Sequence, residues 1–291
     1  MGVYDAYGRV LSDGREDWAA LAARLAAGGY EEEFIICDRL DAEAASGAAS
    51  AGFMPMSAEF IAPDGPRPFL TPKLHLVRCL AEPAAIRPTR TALRRSSRYS
   101  LALNLDFSAA IAGCVRAHGD GWLTPPLVDA FVALAAEPPR AGGPAFISAE
   151  LYAAGSPGDG DEGRDAAGAP GLGRSGGPAG RRLVAAEIGY ALGSSYASLS
   201  GFSDESGAGT VQLYALAGLL AELGVSLWDL GMPLPYKTAL GGRDYPREAY
   251  LPALHGAYGR AMPLELAALS PPRPARPLLD SLMRRGPEGS A

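Results

Sequence analysis

Three groups in the C-terminal half pair a reactive residue type with a position suited to chemistry. Asp229 closes a short apolar run, Val225 to Leu230, that reads as a buried strand. Ser203 precedes a Gly-rich loop, and the backbone N–H groups of Gly207 to Thr210 would open an apolar helix. A strand, Gly-rich loop, helix and strand in succession aim free N–H groups and a helix N-terminus into one crevice. That arrangement suits proton transfer at the carboxylate and stabilisation of an anion by the loop. Glu187 is a lone acid within an apolar strand, which is costly to bury unpaired. Each has a plainer reading. Asp229 could cap a turn before Pro233, and Ser203 with its loop could cap a helix. Glu187 either faces solvent or selects a polar or cationic group.

The elements that would hold these groups follow from periodicity and punctuation. Ser194 to Leu199 predicts a strand, Ser200 to Gly209 a loop, and Thr210 to Leu223 a helix. Upstream, Tyr99 to Phe107 alternates as a strand. Asp106 begins a helix through Cys114, and Thr124 caps another over Pro125 to Ala136 with proline in its first turn. Ala145 to Tyr152 and Arg182 to Tyr190 predict two strands that should pair. The Gly, Ala, Pro, Ser, Asp and Arg segment at 153–181 cannot bury enough surface to order itself and is expected to be a disordered insertion. Residues 1–95 are expected to form a smaller, α-rich lobe, with Asp17 to Ala27 a helix ended by Gly28-Gly29. Residues 96–262 would be the α/β domain, and the Pro- and Arg-rich stretch 263–291 a flexible tail.

Composition narrows the class. The chain has 291 residues, 48% hydrophobic and 20% charged, as an ordinary globular protein does. No apolar run is long enough to span a bilayer, and the N-terminus lacks the pattern of a secretory signal. Cys37, Cys79 and Cys114 are odd in number and widely spaced, which suits a reducing cytoplasm and suggests neither disulfides nor zinc. With His75, His118 and His255 equally scattered, no metal or other cofactor is expected. A net charge of −6 argues against wrapping nucleic acid over the whole surface. A local basic patch is nevertheless present: Arg87, Arg90, Arg94, Arg95 and Arg98, with Lys73 and Arg78 upstream. It is either a solvated helix face or a phosphate-contacting patch.

Short motifs then line up in order. Gly52-Phe53-Met54-Pro55-Met56, Ala62-Pro63-Asp64-Gly65-Pro66-Arg67, Gly121-Trp122-Leu123-Thr124, Ser200-Gly201-Phe202-Ser203, Leu240-Gly241-Gly242 and Pro246-Arg247 are each weak alone. Together, over roughly Asp38 to Tyr258, the chain resembles the leucyl/phenylalanyl-tRNA–protein transferases. The resemblance implies a GNAT-like acyltransferase fold. It also implies attack by a protein N-terminal α-amine on the ester of an aminoacyl-tRNA, in a monomer without membrane attachment. Asp229 would then orient the amine and accept or relay its proton, and Ser203 would contact the oxyanion or ribose. Trp122 and Met56 would hold the terminal adenosine, and Tyr196, Phe202, Leu213 and Glu187 would line the amino-acid pocket. The arginine patch would meet the acceptor stem of the tRNA. The chain departs from the family where Trp228-Asp229-Leu230-Gly231 replaces Ile-Asp-Cys-Gln, and where Ser198-Leu199 replaces Gly-Glu. Two other readings stay open: an acyl-CoA N-acyltransferase, disfavoured by the acids in Asp204-Glu205-Ser206-Gly207-Ala208-Gly209, and an inactive relative that binds tRNA or protein N-termini.

Overall fold

The computed structural model describes residues 3–62, 65–154 and 181–284. The first part of the chain runs β1 (Val3–Tyr4), β2 (Val10–Ser12), α1 (Trp18–Ala27), β3 (Ile36–Cys37), α2 (Ala42–Ser50), β4 (Ser57–Ala62) and β5 (Gly65–Leu70). Asp17 starts α1 by accepting the N–H groups of Ala19 and Ala20, and Gly29, at φ +64°, carries the chain out of it. The strands form a five-stranded sheet in the order β1-β2-β3-β5-β4. The expected α-rich lobe is therefore a mixed one. The β4–β5 hairpin escapes a sequence reading because Pro66 and Pro68 look like loop punctuation. Alternate residues aim their N–H groups at the same edge, so both prolines fall on one edge of β5, and that edge meets β3 only at Leu70↔Cys37.

The larger sheet has eight strands in the order β12-β6-β11-β10-β9-β8-β7-β13. It is built from β6 (Val77–Ala81), α3 (Arg90–Ser96), β7 (Tyr99–Leu103), α4 (Phe107–His118), α5 (Pro125–Ala136), β8 (Ala145–Ala154), β9 (Arg181–Leu192) and β10 (Ser195–Ser203). After these come α6 (Ala208–Glu222), β11 (Leu227–Asp229), α7 (Pro235–Leu240), β12 (Arg243–Pro246), α8 (Arg247–Tyr258), β13 (Ser270–Pro274) and α9 (Ala275–Arg284). From β7 to β11 the order is strand, helix, helix, strand, strand, strand, helix, strand, as the periodicity predicted. β6 departs from the expected division: placed in the first lobe by the sequence, it pairs with β11 and β12 in the larger sheet. The insertion expected at 153–181 lies outside the described residues, except that Ala153, Ala154 and Arg181 lengthen the antiparallel β8–β9 pair.

The tail also departs from expectation. β13 adds to β7 as an edge strand, a position where its prolines are tolerated. It delivers α9, whose Leu278, Leu279 and Leu282 are fully buried against α6. A Cβ on Gly218 of α6 would run into the Leu278 backbone carbonyl, so the two helices pack backbone to backbone. One apolar core lies between the sheet and α6 with α9. The other lies on the opposite face, shared by α4, α5, α8 and the N-terminal elements.

Candidate active site

One discontinuity in the large sheet organises the candidate site. β10 runs parallel to β11 only over Ser195↔Leu227, Tyr196↔Trp228 and Ala197↔Asp229. Beyond Ala197, β10 continues to Ser203 along β9 alone while β11 ends at Asp229, so from Ser198 on the edge of β10 that faced β11 is unpaired and leaves a gap in the sheet. A bulge at Leu199, where the β10–β9 register shifts between Ser198 and Ser200, lies at the mouth of that gap. The loop expected to begin at Ser200 is thus strand through Ser203.

Asp229 ends β11, as expected, yet it is fully buried. Its Oδ2 accepts a hydrogen bond from Arg78 Nη1 at 2.6 Å, and its Oδ1 accepts the Gly231 N–H at 2.8 Å. Arg78 is equally buried and donates to the Gly52 carbonyl at 2.8 Å and to His75 Nδ1 at 3.3 Å, with its guanidinium 5.0 Å from the Tyr250 ring centroid. Burial, the largest single effect, works against the Arg78 charge, but the Asp229 carboxylate together with Tyr250, Tyr190 and Tyr258 leaves a net rise that keeps the guanidinium protonated. Burial first, and the neighbouring cations after it, push His75 down to about 2, so it is neutral. The acid expected to line the crevice is therefore an enclosed ion pair. In this arrangement each carboxylate oxygen holds one protein donor.

Glu187 also resolves against one of its readings. It is only 3% exposed, so it does not face solvent. It projects from β9 toward α6, and its Oε1 accepts from Tyr196 Oη at 2.8 Å and from Ser198 Oγ at 2.7 Å. Burial raises its pKa, while hydrogen bonds from Ser198, Tyr196 and Gln212 and the charge of Lys237 lower it, leaving a net rise. Lys237, on α7, donates to the carbonyls of Leu230 and Met232 and so braces the loop after β11.

The remaining expected residues divide. Ser203 is exposed; its hydroxyl donates to the Glu205 carbonyl and accepts the Gly209 N–H at 3.0 Å, so it caps α6. Tyr196 packs beneath α6 with Trp228, their ring centroids 6.3 Å apart, and half-buried Leu213 packs against the same core. Phe202 lies on the other face, where a Cβ on Gly113 of α4 would strike its ring. The bulge shifts the alternation of β10, and the four pocket candidates consequently do not share one face. Met56 and Trp122 are both half-buried, and their segments are stitched together: the Ser57 N–H donates to the Trp122 carbonyl at 2.9 Å, and Ser57 Oγ meets Thr124 Oγ1 at 2.8 Å. Met54 links that pair of segments to the gap, because its methyl would be 3.0 Å from a Cβ on Gly231. The Pro63-Asp64 part of the proline motif lies outside the described residues.

In the basic patch, Arg90, Arg94 and Arg98 are exposed. Arg87 bonds the Ala84 and Ile86 carbonyls, and Arg95 bonds the Ser206 carbonyl at 3.2 Å. Lys73 and Arg78 do not join it: the first pairs with Glu33 and the second is the buried hub. The structure adds Arg181 and Arg182, which sequence reading missed. They begin β9, paired with Ala154 and Ala153, and Ala153 in turn pairs with Tyr99, next to Arg98. Only strand order brings them to the patch. The acids Asp204 and Glu205 are paired with Arg116 and Arg182, so their charge repels an anion at α6 less than composition suggested.

Residues 179–255, which contain this gap and all of β10, α6 and β11, match the family described as leucyl/phenylalanyl-tRNA protein transferase. A leucyl/phenylalanyl-tRNA–protein transferase from Ectopseudomonas mendocina (strain ymp) is 29% identical over 189 residues, covering 64% of this chain and 65% of that protein. Over these stretches the chain is similar to the leucyl/phenylalanyl-tRNA–protein transferases. It spans 65% of the length of the relative it matches. Among the described residues of this chain, no group of three or more His, Cys, Asp or Glu could hold a metal ion, and no helix is long and apolar enough to cross a membrane.

Proposed function

We propose that this chain transfers an amino acid, leucine or phenylalanine by resemblance, from an aminoacyl-tRNA to the N-terminal α-amine of a protein or peptide. It would act as a cytoplasmic monomer of GNAT-like fold. The observation that carries the reading is the end of the β10–β11 pairing at Ala197, beyond which β10 runs on with that edge unpaired, inside the segment that matches the transferase family. An unpaired strand edge lets a reactive ester approach backbone donors without disrupting a paired ladder, and acyl transfer needs such donors and correct positioning more than it needs a covalent nucleophile. The amine titrates near pH ~8, so about a tenth of it is neutral at pH 7.

In this reading Asp229 acts by position: with Arg78 it fixes the end of β11 and the Gly231 turn beside Met54. Met56 and Trp122 would bracket the terminal adenosine, where stacking on a base is worth ~1–3 kcal/mol. The exposed arginines of α3 would meet acceptor-stem phosphates. The test is transfer of a labelled amino acid from each charged tRNA in turn to peptides with different N-terminal residues, with acyl-CoA donors in parallel. Transfer from charged leucine or phenylalanine tRNA is the expected result. Transfer from acyl-CoA alone would replace the reading with the acyl-CoA one, and no transfer from any donor would leave the inactive-relative reading standing.

A further inference from the structure

If the chain transfers aminoacyl groups, a proton must leave the attacking amine, and the enclosed Asp229 is not placed to receive it. A second carboxylate is. Glu187 lies across from Gly201, the residue of β10 that it pairs with, and among the described residues it has no cation within ion-pair distance. Its Oε1 is held by two hydroxyl donors, Tyr196 and Ser198. Ser198 Oγ in turn accepts the indole N–H of Trp228 at 2.9 Å. These two bonds orient the hydroxyl: its proton points to Glu187, one lone pair is taken by Trp228, and the other lone pair is left over. Ser198 is half-buried and is the first residue of β10 past its pairing with β11, so it stands at the opening of the gap. Gly201 leaves room there, since a Cβ would fall 3.2 Å from Glu187 Cβ.

We propose that Ser198 and Glu187 form the proton relay of the transfer step, with Ser198 touching the reacting amine and Glu187 acting through it. This rests on the aminoacyl-transfer reading above. As the amine nitrogen bonds to the ester carbonyl carbon, its N–H proton passes to Ser198 Oγ while the Ser198 proton passes to Glu187 Oε1. When the ester C–O bond breaks, the reverse hops return that proton to the departing ribose oxygen. No net charge is left on the protein, and no outside reactant is needed. Trp228 and Tyr196 serve to hold the two groups in line. The titratable groups that interact electrostatically with Glu187 are Tyr196 on β10, Lys237 and Tyr236 on α7 and, from α4 on the other face of the sheet, Cys114, with the neutral Gln212 on α6. Burial holds the Glu187 carboxyl above the ordinary range, which makes it a better proton acceptor than an exposed carboxylate.

The test compares wild type, Glu187→Gln, Ser198→Ala and the double variant in the transfer assay, with thermal unfolding as a check on folding. Each single change should lower kcat about 10²-fold or more, with the KM for charged tRNA little altered. The double variant should be no slower than the slower single one, because members of a relay fail as a unit. At low pH, log kcat/KM for the peptide should rise with a slope of two in wild type, from the amine and Glu187, and of one in Glu187→Gln. Wild-type kcat in Glu187→Gln, or multiplicative losses with an unchanged pH slope, would overturn the relay alone. A wild-type protein that transfers nothing from any charged tRNA would overturn the relay together with the reading it rests on.

Discussion

Arg78 and Asp229 carry opposite charges into a place where neither touches water. Removing two ions from water is expensive, and the attraction between them offsets it only when the remaining donors and acceptors are also satisfied. Here they largely are: the guanidinium also reaches Gly52 and His75, and the second carboxylate oxygen holds Gly231. Breaking such a pair strands a charge, so Asp229→Asn should destabilise the fold by about 3–5 kcal/mol, read as a lower midpoint in denaturant. Transfer should fall with it, since the Gly231 turn loses its anchor. The combined change Arg78→Met with Asp229→Leu should recover much of the stability. If Asp229→Asn melts like wild type while losing transfer, the acid acts chemically and the positioning role assigned to it is wrong.

At the scale of elements, α6 does two jobs. Its N-terminus meets the capping hydroxyl of Ser203 beneath the gap, and its middle is pressed against α9 at Gly218. The contact at Gly218 is with backbone, which cannot swing aside as a flexible side chain can. Gly218→Ala would ordinarily gain helix propensity of ~1 kcal/mol; here it should instead lower stability by ~1–3 kcal/mol, the usual range for overpacking. Thermal unfolding of Gly218→Ala decides between the two signs. A stabilised variant would mean that α9 sits further from α6 than the Gly218 approach implies.

Across the whole molecule, charge is unevenly spread. The net value is −6, yet Arg90, Arg94 and Arg98 are exposed beside Arg181 and Arg182 at one end of the large sheet. Such a ridge attracts a polyanion locally while the rest of the surface stays acidic. Arg90→Glu with Arg94→Glu should raise the KM for charged tRNA and leave that for the peptide unchanged. The salt dependence of tRNA binding should become shallower by about 0.7–0.9 for each phosphate that is no longer neutralised. An unaltered KM and salt slope would make the ridge an ordinary solvated face.

What the sequence determined by itself was local. Asp17, Asp106 and Thr124 marked helix starts, Gly28-Gly29 marked an end, and alternation marked β7 to β11 in their true order, because caps and periodicity act over a few residues. The resemblance to the transferase family was also legible, since short motifs keep their order along the chain. What it could not determine depended on partners far away in sequence. The β4–β5 prolines and the Pro-rich run of β13 read as loops until the free edges that tolerate them were known. The bulge at Leu199 turned Phe202 away from Tyr196, and periodicity cannot register an inserted residue. Asp229 read as an open acid because nothing near it in sequence shows that Arg78, 151 residues away, closes over it. Glu187 read as an isolated acid for the same reason: its hydroxyl partners belong to the next strand, and only the pairing of β9 with β10 brings them within reach.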